Sequence, residues 1–445
     1  MRGVQRYWCE RAWLGGEKAE AGVLVSIEDE RIASVEREVD APPAGSTRLD
    51  GLVVPGFANA HSHAFHRALR GHTQRGRGSF WSWRERMYEV AAALDPDTYR
   101  RLARACFAEM ALAGITAVGE FHYLHHGPGG HPYEDPNAMG EALIAAAGEA
   151  GIRITLLDTC YLHGGIGAEP DETQRRFSDG DAERWGERAA ALAPREGARI
   201  GAAVHSVRAV DPEAIAVVAA WAHERNCPLH AHLSEQPAEN EACEAAYGVS
   251  PTGLLADNGA LGPGFTAVHA THLSGADIGL LGGAKCCCCF CPTTERDLAD
   301  GIGPARELLD AGASLSLGSD SHAVIDLLEE ARAVELDERL ATNERGRHEA
   351  PALLEAASAA GHAAIGWPEA GRIEPGAIAD LVSVRLDSVR TAGAGDDIDA
   401  AVFAASAADV DTVVCSGRAI VSGGRHLDLD VPAELSAAIA EVHPR

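Results

Sequence analysis

His61, His63 and His66 fall within six positions of PGFANAHSHAFHRALRG, residues 55–71, directly after an apolar run. That run, LDGLVVPGF, is short and β-branched and predicts a buried strand rather than a helix. Side chains alternate faces along a strand, so His61 and His63 share a face and Ser62 takes the other. Two imidazoles on one face at a strand end can hold a metal ion between them. A hydrogen-bonded pair of loop histidines would have the same spacing, because two ligands are only half a site.

The same residue types recur at the ends of other short apolar strands. TAVGEF leads into Glu120, His122 and Tyr123; RIGAAVH leads into His205 and Arg208. PLHAHL carries His230 and His232 and is followed by Glu235; TAVHAT carries His269, with His272 just beyond; SLSLGSD ends in Asp320, with His322 after it. RITLLD and a cysteine-rich run bring the count of such strands to eight. Amphipathic helices separate them. DPDTYRRLARACFAEMALAG opens on an Asp-Pro start signal and closes at Gly114, and DPEAIAVVAAWAHERN repeats the device. Eight strands alternating with helices predict a parallel α/β domain, best fitted by a (β/α)8 barrel of the TIM type. An open doubly wound sheet is the alternative, but no G-x-G-x-x-G follows the first strand. In a barrel, catalytic groups come from the C-terminal strand ends. Histidine or carboxylate at six of the eight ends points to a metal hydrolase. There is no G-x-S-x-G, and the cysteine run has no local histidine partner.

The flanks have a different texture. GVLVSIEDERIASVE reads as a hairpin, and GAIADLVSVRLD and VDTVVCSGRAIVSGG read as strands with Gly-containing turns. The expected division is therefore 1–55 and 369–445 as strand-rich ends around a catalytic domain at 56–368. A chain of 445 residues exceeds one ordinary core, which agrees with one large and one small domain. Net charge is −28, from 38 Lys and Arg against 66 Asp and Glu, with no basic cluster, which argues against nucleic acid and anionic membranes as partners. No apolar run is long enough to span a bilayer and MRGVQRYWCERAWLGG lacks a signal-peptide core, so a cytoplasmic location is expected. Five of the 11 cysteines lie in KCCCCFCP. Cys286 and Cys289 have C-x-x-C spacing without a second pair, so a buried strand using Cys as a small apolar residue is expected over a metal cluster.

HSHAFHRALRG, HLSEQ, VHATHLS and LSLGSDSH together resemble the amidohydrolase superfamily, whose members are metal-dependent (β/α)8 barrels. The resemblance implies metal ligation by His61, His63, His232 and Asp320. It implies catalytic roles for Glu235, His269 and Asp320, and a β-sandwich built from both chain ends. Two-metal members bridge their ions with a carboxylated lysine after strand four. Lys18 and Lys285, the only lysines, are not so placed, so one divalent metal per chain, Zn²⁺, is expected.

A closer resemblance, along nearly the whole chain, is to the formimidoylglutamate deiminase family, through SFWSWRERMY, TAVGEFHYLHH, HSVRAV and TTERDLADGIGPA. It implies a small dicarboxylate substrate bound by Arg84, Tyr123, His205 and Arg208, and a homodimer. His66 stands where that family more often has Gln, and is a further substrate-binding candidate. The implied reaction is hydrolysis of N-formimino-L-glutamate to N-formyl-L-glutamate and ammonia. Two alternatives remain. The same metal set would serve an aminohydrolase of a cyclic amidine, of the guanine or chlorotriazine type, which needs a flat apolar pocket. A metal-free barrel acting as a binding or assembly module is the other.

Overall fold

The run LVVPGF, expected as one strand, is cut at Gly56 and serves two sheets. The computed structural model describes residues 4–74 and 80–443. Strands β1 (Gln5–Ala12), β2 (Glu20–Glu28), β3 (Arg31–Glu36) and β4 (Thr47–Pro55) belong to a small domain. The barrel opens with β5 (Phe57–Ser62) on the other side of the glycine. A Cβ at Gly56 would lie 2.4 Å from Thr116 Oγ1 and 2.7 Å from Asp380 Cβ, so only glycine fits the crossing point.

The other seven barrel strands follow in chain order: β6 (Ile115–His122), β7 (Arg153–Cys160), β8 (Ala198–Val204), β9 (Leu229–Leu233), β10 (Phe265–His269), β11 (Cys287–Phe290) and β12 (Ser314–Leu317). All pair in parallel with their sequence neighbours. These are the eight strands expected, and the closed ring decides against the open sheet. Closure comes at the C-terminal end of β5. Ser62 bridges Asp320, Asp320 N donates to His61 O (3.0 Å), and His63 N donates to Asp320 O (3.2 Å). The seam of the barrel therefore runs through residues singled out for chemistry. Helices cover the outside. Pro96–Leu112 starts at Asp95, whose carboxylate accepts from Thr98 N, and Pro212–Arg225 starts at Asp211 and ends in left-handed Asn226.

Strands β13 (Leu381–Val384), β14 (Val410–Cys415), β15 (Arg418–Ser422) and β16 (Arg425–His426) return to the small domain. Its mixed sheet has the order β16-β15-β14-β13-β4-β1-β2-β3, with β2 and β3 forming the expected hairpin. Buried Asp380 joins the two domains. It pairs with Arg153 of β7, accepts from Thr116 Oγ1 (3.0 Å) and accepts from Ser416 N (2.8 Å). The C-terminal region is not all strand. Helices Ile398–Ala404 and Val431–Val442 lie in it. The latter packs on Pro96–Leu112 of the barrel, with ion pairs Arg101–Glu441 (2.8 Å) and Arg104–Glu434.

The cysteine strand β11 is buried and its thiols are free. Burial pushes the Cys286 and Cys287 thiols up to about 11, which keeps them protonated. Among the described residues, no group with metal-ligand spacing contains a cysteine. No helix among them is long and apolar enough to cross a membrane.

Candidate active site

Four donor atoms from β5 and the residue after it, β9 and the loop after β12 converge at the C-terminal mouth of the barrel. His232 Nε2 lies 3.2 Å from His61 Nε2 and 3.3 Å from His63 Nε2. Asp320 Oδ1 lies 3.3 Å from His61 Nε2 and 3.4 Å from His63 Nε2. Donors bound to one small divalent cation at about 2.0–2.2 Å lie about 3.3 Å apart, so the set has the spacing such an ion requires. Ring orientation agrees. His63 Nδ1 donates to Phe121 O and His232 Nδ1 to His205 O, both at 2.9 Å. That leaves each Nε2 lone pair aimed at the common centre, where without a cation they would repel. Burial lowers the basicity of all three imidazoles, His63 to about 3, so they are neutral at physiological pH. Asp320 is held below the ordinary carboxylate range: burial opposes this, and His61, His269 and His63 outweigh it.

The backbone around this centre is strained. Ser234 (φ +50°), His269 (+69°), Ala270 (+50°), Asp320 (+39°) and His322 (+59°) all occupy the left-handed region at strand ends. Two further groups hold the β5 loop from behind. Glu120 accepts from Ser62 Oγ and Ala64 N, both at 2.6 Å, and burial pushes its carboxyl up to about 8. His322 Nε2 lies 3.3 Å from Ser62 Oγ, while its Nδ1 meets Ser319 Oγ at 2.9 Å.

His269, at the end of β10, stands beside the donor set. Its Nε2 is 3.8 Å from Glu235 Oε1 and 4.0 Å from Asp320 Oδ2, and its Nδ1 is 3.4 Å from Glu295 Oε1. Burial alone would lower its basicity, but Glu295, Glu235 and Asp320 overcome that and push it up to about 10. Glu295 is fixed in turn by Cys291 N (2.9 Å). It lies in the TTER segment, whose pattern alone does not reveal the role of this side chain.

A cavity of about 350 Å³ opens over these groups. His63, His232, Glu235, His269 and Asp320 form its floor, and His66, Arg84, Tyr123, His205 and Arg208 line its wall. Every site residue expected from sequence lies on the cavity except His61, which is fully buried behind it. His66 Nε2 meets Tyr123 Oη at 3.0 Å. Arg84 Nε donates to Tyr88 Oη (2.6 Å). Arg208 sits against carboxylates: Nη2 is 3.4 Å from Glu235 Oε2, and Nε is 2.9 Å from Glu239 Oε2.

Residues 52–420 match the amidohydrolase family. The chain belongs to that family. This amidohydrolase is 39% identical to formimidoylglutamate deiminase of Pseudomonas aeruginosa, over 87% of this chain and 88% of that protein. It is 30% identical to the 5-methylthioadenosine/S-adenosylhomocysteine deaminase of Natronomonas pharaonis, over 93% and 90%. A crystal structure of an amidohydrolase from Brucella melitensis superposes with a TM-score of 0.90 at 34% identity, covering 98% of this chain and 99% of that one. Membership together with the converging His/Asp donors makes the protein a metal-dependent hydrolase of C–N bonds with a single divalent ion. It is not the metal-free scaffold that the sequence left open.

Proposed function

We propose that this amidohydrolase converts N-formimino-L-glutamate and water to N-formyl-L-glutamate and ammonia. The reaction would be a cytoplasmic step of histidine breakdown, with one Zn²⁺ per chain held by His61, His63, His232 and Asp320. The observation that carries the reading is the pair Arg84 and Arg208 on the wall of the cavity whose floor is the His/Asp centre. Guanidinium groups match carboxylates bidentately, and a chain of charge −28 needs local cations to attract a dianion. The 39% identity to a formimidoylglutamate deiminase supports the same substrate.

The ion, when bound, lowers the pKa of a water towards ~7 and so supplies a nucleophile at neutral pH. Asp320 accepts a proton from the attacking water through the carboxylate that faces His269. His269, held by Glu295, orients that water and stabilises the charge that develops at the formimino carbon. Glu235 delivers a proton to the departing nitrogen, so that ammonia leaves rather than amide ion. A C–O bond forms, the C–NH₂ bond breaks, and both protons come from water. Arg84, Arg208, Tyr123 and His205 take the two carboxylates, and His66 fixes the Tyr123 hydroxyl.

A purine-type aminohydrolase is the second reading. Trp83, Tyr88, Tyr123 and Tyr161 give the cavity aromatic walls, and a 5-methylthioadenosine/S-adenosylhomocysteine deaminase is 30% identical. Ammonia release from formimino amino acids and from purine nucleosides decides between them. Turnover of N-formimino-L-glutamate well above that of any purine is expected. The reverse order would overturn the proposal.

A further inference from the structure

Glu239 was not anticipated from sequence, and its side chain is completely buried although it is a carboxylate. It lies in the first turn of helix Pro237–Tyr247, just after the loop that carries Glu235. Its two oxygens have separate tasks. Oε1 accepts from Ser234 N at 3.0 Å, and Ser234 holds the strained φ of +50° immediately before Glu235. Oε2 faces Arg208 Nε at 2.9 Å. Arg208 thus has its Nε edge against Glu239 and Nη2 near Glu235, 3.4 Å away, where it lines the cavity. A flexible arginine side chain loses rotamer entropy on binding an anion, and a fixed carboxylate on Nε removes much of that loss beforehand.

We propose that Glu239 is a positioning residue for dicarboxylate recognition. Its charge, 2.9 Å from Arg208 Nε, holds the guanidinium at the cavity wall where a substrate carboxylate would meet it. Through Ser234 it keeps Glu235 at a fixed distance from the same guanidinium. This rests on the proposed function, because it takes Arg208 as the carboxylate-binding group. Glu239 ties the end of the cavity that selects the substrate to the residue that delivers the proton. A monocarboxylate whose missing group is the one Arg208 receives gains nothing from Glu239.

The test is a double-mutant cycle on Glu239→Gln and Arg208→Met, assayed with N-formimino-L-glutamate, N-formimino-L-alanine and 4-formiminobutyrate, with metal content and Tm measured alongside. Glu239→Gln keeps an acceptor for Ser234 N, so kcat and metal content should stay near the parent's. Loss of the charge on Nε should raise KM, and kcat/KM for the dicarboxylate should fall about 10- to 100-fold. One of the two monocarboxylates should be nearly insensitive to both substitutions. The double variant should be no worse than Arg208→Met alone, because both act through one guanidinium. Glu239→Asp, which keeps the charge, should recover part of the loss. Losses that multiply in the double variant, or equal losses on all three substrates, would overturn the proposal. So would a collapse of Tm or metal content in Glu239→Gln that Glu239→Asp does not repair. A parent enzyme inactive on N-formimino-L-glutamate removes the proposed function and this inference together. An active parent with multiplicative losses removes this inference alone.

Discussion

Two buried clusters of histidine and aspartate begin on adjacent barrel strands. One, at the end of β5, gathers His61, His63, His232 and Asp320. The other, at the end of β6, gathers His122, His125 and Asp158 within a similar span. They differ in how their charge is balanced. Among the described residues, the ion-pair partners of Asp320 are the imidazoles of His61, His63 and His269. Asp158 is gripped by Arg188, Nη1 to Oδ2 at 2.9 Å and Nη2 to Oδ1 at 2.8 Å, and also accepts from Trp185 Nε1 at 2.8 Å. Arg188 Nε reaches Asp179 (2.9 Å), which pairs with His126 at the same distance. The second cluster already holds its cation as a guanidinium. A divalent ion there would meet a buried positive charge and a carboxylate with both oxygens engaged. The first cluster has converging lone pairs, a carboxylate with no guanidinium partner among the described residues and a cavity above it. Residue type and spacing are shared; charge balance separates a metal centre from an internal ion network.

The sharpest way to break this contrast is to remove one histidine from each cluster. His232→Ala should lose bound metal and lower turnover ~10³-fold or more, because only two imidazoles and a buried carboxylate are left to hold the ion. His122→Ala should retain one metal per chain by elemental analysis. Equal metal loss in both variants would mean that the second cluster also binds an ion.

Arg188→Met tests the opposite side. Breaking a buried pair strands Asp158 and Asp179, so urea unfolding should show a loss of about 3–5 kcal/mol while metal content per folded chain is unchanged. A variant as stable as the parent would contradict the ion-network assignment.

Glu235→Gln perturbs chemistry at the first cluster without touching its ligands. A fall in kcat of ~10²-fold with metal retained is expected, since the amide cannot shuttle protons. Metal loss in this variant would make Glu235 a ligand instead.

The smallest effect concerns acid. Burial first, and then Arg188, hold His125 down at about 4, against about 6.5 in an unfolded chain. Its neutral form is favoured in the folded state, so the stability it contributes is complete above pH ~6.5 and is lost as pH falls towards 4. Asp158 and Asp179, held below their usual values, add losses at still lower pH. Between pH 7 and 5 the His125 contribution is on the order of 1–2 kcal/mol. His125→Asn should flatten the Tm profile over that range, and an unchanged profile would assign the acid sensitivity elsewhere.

The sequence by itself determined the barrel, because strand length, apolar runs and Asp-Pro helix starts are local signals that tertiary contacts had only to ratify. It also offered the candidates for the metal centre, since strand alternation fixes which histidines can share a face and parallel strands bring their ends to one rim. The split of LVVPGF at Gly56 was not legible, because a buried strand of either sheet has the same apolar texture, and only Thr116 and Asp380, distant in sequence, exclude a side chain there. The helix Val431–Val442 was missed for a related reason: its apolar face is short and is satisfied by another domain's helix. The division of labour among the histidines was decided by tertiary structure alone. His61 and His122 both follow an apolar strand, but electrostatic balance depends on Arg188, Glu239 and Glu295, which pattern cannot assign to one neighbour rather than another. A charge acts through space, so its partner is known only once the chain has folded.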